Sequence, residues 1–129
     1  MRKIINTPHA PGAIGPYSQG VVYEGNRTLY VSGQLPIDPT TGEMVTDGIE
    51  AETHQVIKNL QAIIEAAGGS LDNILKATIL LTDMANFAVV NEVYGSYFPQ
   101  TSQPPARICY QVSALPKGAN VEIDAVCGL

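Results

Sequence analysis

The chain has 129 residues, the usual size of one domain, and is long enough to bury a hydrophobic core without disulfides or metals. Charged residues make up 15% and hydrophobic residues 45% of the sequence, a composition that indicates a globular protein and excludes a disordered one. The formal net charge is −5, and the seven basic residues are scattered. This argues against a nucleic-acid-binding protein, because such proteins neutralise phosphates with Lys and Arg. We therefore expect a single domain over residues 1–129 that binds no nucleic acid.

The cysteines and the N-terminal residues predict the compartment. Cys109 and Cys127 form no CxxC motif and fall in predicted strands, so we expect two reduced, buried thiols. The N-terminal segment lacks the apolar stretch of a signal peptide, and no apolar run approaches membrane-spanning length. These features predict a cytoplasmic protein without a membrane partner.

The first third of the chain predicts strands and an ordered loop. Residues 2–5 form a short first strand, and residues 10–19, rich in Pro and Gly, form the loop. Strands over 20–24 and 28–33 follow. The Gly25-Asn26 pair between them is typical of a hairpin turn, so we expect these two strands to pair with each other.

The middle of the chain predicts a helix between a long connection and a glycine pair. Asp47 fits an N-cap position, with Glu50 three residues later as in a capping box. Gly68-Gly69 ends the helix. Apolar residues recur at helical spacing between these two points and predict one buried stripe, formed by Ile49, Val56, Leu60, Ile63 and Ala67.

The last part of the chain predicts a strand, a helix and a hairpin. The strand covers residues 74–82, and its alternate residues Leu75, Ala77, Ile79 and Leu81 face one way. The helix covers about 85–98 and ends before Pro99. Its apolar stripe consists of Phe87, Val90, Tyr94 and Tyr97. Residues 104–124 predict two strands around a Leu-Pro-Lys-Gly turn, which is typical of a hairpin.

This order of elements predicts an α+β fold, with a mixed sheet and two helices packed on one face. Two helices cover only one face of such a sheet. The other face carries apolar residues such as Ile108 and Tyr110, and another subunit is the simplest cover for it.

Two charged residues lie in the predicted C-terminal hairpin, where apolar residues are expected. Arg107, Cys109 and Gln111 share one face of their strand. In a hairpin Glu122 lies too far along the partner strand to contact Arg107 directly, so we expect no ion pair between them. A small anionic ligand bound by Arg107 then lies over Cys109 and extends toward Glu122.

Structural interpretations of these residues remain open at this point. Arg107 equally fits a strand-edge position or an ion pair with another carboxylate. Glu122 and Asp124 are typical of a solvated strand face, and Tyr17 fits a loop anchor. No metal site is expected, because His9 and His54 have no metal-ligand spacing.

Four segments resemble one known family. They are AIGPYSQG (13–20), YVSGQLPIDPTTGE (30–43), NFAVVNEVYGSYF (86–98) and PPARICYQVSALPKGANVEID (104–124). They occur in the order of the RidA family, also called YjgF or L-PSP, and cover nearly the whole chain. The resemblance implies a chorismate-mutase-like α+β fold and a homotrimer with its sites in clefts between subunits. It also implies hydrolysis of 2-imino acids, such as 2-iminobutanoate and 2-iminopropanoate, to 2-keto acids and ammonia, without a cofactor.

The resemblance also implies the site residues. The catalytic group consists of Arg107, Glu122, Cys109 and Tyr17, and the substrate-binding group of Arg107, Ser32, Gly33 and Asn91. Arg107 binds the substrate carboxylate, because a guanidinium is a bidentate donor. Glu122 orients the attacking water and transfers protons. Cys109 is expected to contribute its backbone and small size rather than a nucleophilic thiol.

Two other function classes are compatible with the same residues. One is a trimeric small-carboxylate-binding protein, regulatory or chaperone-like, without turnover. The other is RNA cleavage, an activity of some relatives, against which the acidic charge balance argues.

Overall fold

The computed structural model describes residues 2–99 and 103–129. Within these ranges it has six strands and two α-helices, together with short 3-10 turns. The strands are β1 (Arg2–Ile5), β2 (Gly20–Tyr23), β3 (Thr28–Gln34), β4 (Ile74–Leu81), β5 (Ala106–Gln111) and β6 (Val121–Gly128). The helices are α1 (Ile49–Ala66) and α2 (Phe87–Ser96). No helix in this part of the chain is long and apolar enough to cross a membrane.

The strands form a four-stranded mixed sheet and a separate two-stranded sheet. The larger sheet has the order β3-β6-β4-β5, in which only the β4–β5 pair is parallel. The smaller sheet pairs β1 with β2 in antiparallel orientation. The predicted α+β class, with a mixed sheet and two helices, is confirmed.

Helix α1 packs against β3, β6 and α2, and it begins one residue later than the sequence predicts. Gly48 occupies the N-cap position with φ 108°, so the prediction of Asp47 as N-cap is wrong. A glycine is favoured there because side chains rarely adopt this left-handed conformation. The helix ends before Gly68, which also has a positive φ, as predicted.

The hydrophobic core lies between α1, α2 and one face of the large sheet. We call this face of the sheet the covered face. Its buried strand residues include Val31, Ala77, Ile79, Leu81, Val121, Ile123, Ala125 and Cys127, and the helices contribute Val56, Ile57, Leu60, Ile64, Val90 and Tyr94. Each fully buried aliphatic side chain contributes about 1.5 to 3 kcal/mol, so this layer is the main source of stability.

The predicted hairpin between residues 20–24 and 28–33 is wrong. Both strands exist, but β2 pairs with β1, whereas β3 pairs with β6 in the other sheet. The Tyr23 hydroxyl shares its one hydrogen between the Arg27 carbonyl, at 2.9 Å, and the Leu129 carbonyl. Tyr23, the last residue of β2, therefore binds the segment that precedes β3. At Gly25-Asn26, where the sequence predicts a chain reversal, the chain instead passes from the small sheet to the large one.

The predicted hairpin over residues 104–124 is also wrong. Strand β4 lies between β5 and β6, so the last two strands are not neighbours. Strand β4 is apolar along most of its length and pairs on both sides, parallel with β5 and antiparallel with β6. A central strand satisfies its backbone groups only with two neighbours, and this requirement overrides the local turn.

The second face of the large sheet, which we call the open face, has no helix against it in the described residues. Tyr30 is 76% exposed, and Ile108 and Tyr110 are each 47% exposed. Ile108 and Tyr110 stand two residues apart on β5 and form a small apolar patch at that edge of the sheet, whereas Tyr30 lies on β3 at the other edge. Exposed apolar residues at both edges of one sheet face are typical of an interaction surface.

Candidate active site

A cleft of about 270 Å³ lies beside the edge strand β5. We call it the arginine pocket. It is lined by Ile14, Gly15, Tyr17, Phe87, Asn91 and Arg107. Its volume is at the lower end of ligand clefts, so it suits a small molecule.

Strand β5 and helix α2 together position the arginine. Arg107 pairs with Ala77 of β4, so its side chain leaves the sheet on the covered face, toward α2. Its Nη1 donates to Oδ1 of Asn91, which is on α2, at 2.7 Å. Because Asn91 lies one helical turn after Phe87, both side chains are on the same side of the helix.

Aromatic rings surround the guanidinium of Arg107. Its Cζ lies 5.4 Å from the ring centroid of Tyr17, 5.9 Å from that of Phe87 and 5.3 Å from that of Tyr94. Ring faces attract cations at such distances, and they exclude water from part of the guanidinium. The positive charge of Arg107 is therefore stabilised without a carboxylate among these contacts, and its free donors are available to an anionic ligand.

The loop that carries Tyr17 is attached to the start of β5. Ser18 donates its N–H to the Pro105 carbonyl at 2.9 Å and its hydroxyl to the Pro104 carbonyl. The Gln19 side chain binds Thr7 within the same loop region. These hydrogen bonds fix Tyr17 over the strand that carries Arg107.

Cys109 lies on the same face as Arg107 but does not line the arginine pocket. Its side chain is half-buried and packs against the core. Burial raises the pKa of Cys109, and the nearby charge of Arg107 lowers it only in part. The thiol is therefore protonated at neutral pH, which favours packing over nucleophilic chemistry.

The remaining predicted residues lie on β3 and β6. We call Ser32, Gly33 and Glu122 the glutamate site. Strand β3 has a bulge here, because three steps along β3 from Val31 to Gln34 match only two steps along β6. A Cβ on Gly33 would lie 2.9 Å from the carboxyl carbon of Glu122, so only glycine leaves room for this carboxylate.

The arginine pocket and the glutamate site are apart within one chain. Arg107 is level with Ala77 of β4, whereas Glu122 is level with Leu80, three residues further along that strand. Glu122 also points to the opposite face of the sheet. At the usual spacings of strands and residues, the two Cα atoms are about 14 Å apart. The prediction that one ligand over Cys109 extends from Arg107 to Glu122 of the same chain is therefore wrong, because it depended on a hairpin that β4 interrupts.

The sequence missed several residues of the arginine pocket. Phe87 was predicted only as part of a buried helix stripe, and Ile14 and Gly15 only as loop residues. Tyr94, which packs against the guanidinium without lining the pocket, was predicted as part of the same stripe. Helical spacing contained the missing signal, because Phe87, Asn91 and Tyr94 recur at intervals of four and three residues.

No group of three or more His, Cys, Asp or Glu residues in the described part of the chain is arranged to hold a metal ion. Both cysteines are free thiols.

Comparison with known proteins gives the family. The endoribonuclease L-PSP family model matches residues 7–128. The 2-iminobutanoate/2-iminopropanoate deaminase of Homo sapiens is 49% identical, and the alignment covers 98% of this chain and 89% of the human protein. The crystal structure of RidA from an Antarctic Psychrobacter is 46% identical, with a TM-score of 0.74 and coverage of 98% of this chain and 99% of that one.

A third relative, TdcF of E. coli with bound serine, is 41% identical with a TM-score of 0.76, and the match covers 98% of each chain. A family model that spans nearly the whole chain and relatives of this identity lead to the same assignment. The chain belongs to the endoribonuclease L-PSP family, the RidA family that its sequence motifs predicted.

Proposed function

We propose that this protein hydrolyses small 2-imino acids, such as 2-iminobutanoate and 2-iminopropanoate, to 2-keto acids and ammonia. The relatives of about 49% identity that carry this activity in their names support the reaction. One structural observation supports the substrate class: the guanidinium of Arg107 faces a small cleft, with Asn91 and aromatic rings as its neighbours. The serine bound to E. coli TdcF is also a small carboxylate, as this proposal requires of a ligand.

Arg107 binds the carboxylate of the substrate. A guanidinium donates two parallel N–H bonds to a carboxylate, and the bond from Nη1 to Asn91 sets the plane of the group. Phe87 and Ile14 give the cleft an apolar wall for a short side chain. Tyr17 covers the guanidinium from the loop side and contributes by position rather than by proton transfer.

Glu122 activates the water that attacks the imine carbon. A carboxylate accepts a proton from this water and returns it to the departing nitrogen. Positioning and one acid–base group together account for a rate increase of roughly a hundred- to ten-thousand-fold, which is enough for a C=N bond that water attacks without help. Ser32 and Gly33 form the β-bulge beside this carboxylate. No step requires a metal or an organic cofactor.

The complete site requires two subunits. Arg107 and Glu122 of one chain are on opposite faces of the sheet, so one chain alone does not bring them to the same substrate. A homotrimer resolves this, because each interface joins the arginine pocket of one subunit to the glutamate site of the next. The open face, on which Tyr30, Ile108 and Tyr110 are exposed, is the surface that this assembly buries.

The reaction is tested with a coupled assay. A threonine dehydratase releases 2-iminobutanoate, and semicarbazide traps the imine in competition with its hydrolysis. We expect the wild-type protein to suppress trapping and Arg107→Ala to lose this effect. Arg27→Ala, which removes an exposed arginine far from the cleft, is the matched control and should behave like wild type.

The alternative is a carboxylate-binding regulatory or chaperone-like protein. If the wild type binds 2-oxobutanoate but leaves trapping unchanged, turnover is excluded for this substrate and the alternative is favoured. Glu122→Gln then separates the two functions, since an enzyme loses turnover in this variant whereas a binding protein keeps its affinity.

A further inference from the structure

One buried hydroxyl lies next to the arginine pocket without a hydrogen-bond partner. The side chain of Tyr94 is 2% exposed, and its Oη is the one fully buried side-chain polar atom without a partner in the described residues. Buried polar groups are almost always paired, because an unpaired group loses its bonds to water and gains nothing in return. An unpaired hydroxyl on a ring that packs against a proposed ligand-binding residue therefore calls for a functional explanation.

A second tyrosine in the same region provides the contrast. Tyr97 is the C-cap residue of α2, three residues after Tyr94, and its hydroxyl lies 2.7 Å from Nδ1 of His54 on α1. This pair links the two helices. The hydroxyl of Tyr97 therefore contributes to the fold, whereas that of Tyr94 makes no such contact.

The neighbour best suited to the Tyr94 hydroxyl is Arg107. The ring of Tyr94 lies 5.3 Å from Cζ of Arg107 and does not line the pocket, so it packs behind the guanidinium. A guanidinium has five N–H donors and no acceptor, whereas a tyrosine oxygen accepts readily. Burial raises the pKa of Tyr94 and the positive charge of Arg107 lowers it in part, so the hydroxyl stays protonated and is close enough to interact with that charge.

Binding of a carboxylate changes which N–H donors of Arg107 are used and how the guanidinium is oriented. A bidentate carboxylate takes two parallel N–H bonds from one edge of the group, and Asn91 accepts one more. When one edge of the guanidinium faces the carboxylate in the pocket, a remaining N–H points away from the pocket. The hydroxyl oxygen of Tyr94 lies on that side and can accept it.

We infer that Tyr94 is a positioning residue of the carboxylate site, whose hydroxyl accepts a hydrogen bond from Arg107 when a carboxylate binds. Asn91 and Tyr94 then fix the guanidinium from two directions. This inference rests on the proposed function only in assigning the ligand carboxylate to Arg107, and it does not require turnover.

Tyr94→Phe and Tyr97→Phe test the inference as a matched pair. Affinity for pyruvate, a 2-keto acid product, is measured by titration calorimetry, and thermal stability by the melting temperature. Tyr94→Phe should weaken pyruvate binding about tenfold, because it removes a hydrogen bond to a charged group. Its melting temperature should stay the same or rise by about 2 to 4 °C, because an unpaired buried hydroxyl is gone. Tyr97→Phe should keep the pyruvate affinity and melt at a lower temperature.

The kinetic constants give an independent test if the protein turns over 2-iminobutanoate. The hydroxyl of Tyr94 supports substrate and transition state alike, so Tyr94→Phe should raise KM and leave kcat unchanged. Wild-type affinity for pyruvate in Tyr94→Phe would overturn the inference, and so would a loss of both affinity and stability, which would make the hydroxyl structural. Wild-type protein that binds pyruvate without deaminase activity would instead contradict the proposed reaction and leave the role of Tyr94 standing. Wild-type protein that does not bind pyruvate would overturn both.

Discussion

Each face of the large sheet carries one charged residue of the candidate site, and the surroundings of the two residues differ. On the covered face, Arg107 is fixed by its own chain, through Asn91 and three aromatic rings. On the open face, against which no helix of the described residues packs, Glu122 stands beside the backbone of Gly33. Under the proposed function, Arg107 is a binding group fixed within its own chain and Glu122 an acid–base group completed by a partner subunit, which is the arrangement expected of a site shared between subunits.

The largest effect is expected from a charge on the open face. Ile108→Asp places a carboxylate in the patch that we propose becomes buried, at a cost of about 3 to 5 kcal/mol for an unpaired charge in an interface. The variant should dissociate to monomers and lose deaminase activity, while each monomer keeps its helices. Sedimentation velocity measures the mass.

Val89→Asp is the control for this experiment. Val89 lies on α2, away from the open face, and is 39% exposed, similar to Ile108 at 47%. It should keep the mass and the activity of the wild type. If Ile108→Asp also retains both, the open face is not the interface that completes the site.

A smaller loss is expected from a methyl group at Gly33. Gly33→Ala forces the carboxylate of Glu122 to move, because the new Cβ occupies the space of that side chain. A displacement of about 1 Å in an acid–base group costs about a hundredfold in kcat, whereas pyruvate affinity should change little because Arg107 is untouched. Gly12→Ala, where nothing lies within 4 Å of the new Cβ, is the control and should have no effect. Unchanged kcat in Gly33→Ala would exclude Glu122 from the reaction.

The smallest expected effect is a loss of stability at alkaline pH, which tests whether water is excluded from the covered face. Cys127 is fully buried there, and burial raises its pKa to about 11 from the usual 9.0. In the unfolded chain the thiol ionises at the lower value. The stability it contributes is therefore complete below about pH 9 and is lost as the pH rises toward about 11.

Urea unfolding at about pH 8 and about pH 10.5 should show a loss of about 2 kcal/mol from this group. In Cys127→Ala the free energy of unfolding should decrease less between these two pH values, by the share that the thiol contributes. Equal alkaline losses in both proteins would show that water enters the covered face.

The sequence predicted local features of the fold better than its pairing. Alternation and helical spacing were sufficient to locate β4 and α2, and the motif resemblance named Arg107, Asn91 and Glu122 before any geometry was known. Both hairpin predictions relied on local turn signals, and the strands instead pair with partners distant in sequence, β2 with β1, β3 with β6, and β4 between β5 and β6. Turn residues indicate only where the chain can reverse. Which strands pair depends on which apolar side chains are buried together. Strand β4 is apolar enough to lie between two neighbours, and it separates β5 from β6.

The wrong pairing of β5 with β6 also caused the wrong prediction that one ligand extends from Arg107 to Glu122 of the same chain. If β5 and β6 were neighbours, one ligand over Cys109 would extend toward both Arg107 and Glu122. With β4 between them, the register moves the two residues apart and onto opposite faces. The separation of these charges is a property of the sheet order, which no short motif encodes.

Subunit complementation tests the shared site most directly. Arg107→Ala and Glu122→Gln are each expected to be inactive alone. They are unfolded together in equal amounts, refolded, and assayed for deaminase activity. In randomly mixed trimers about a quarter of the interfaces join an intact Arg107 to an intact Glu122, so we expect about a quarter of the wild-type activity to return. No recovery in mixed trimers of confirmed composition would contradict a site built from two subunits.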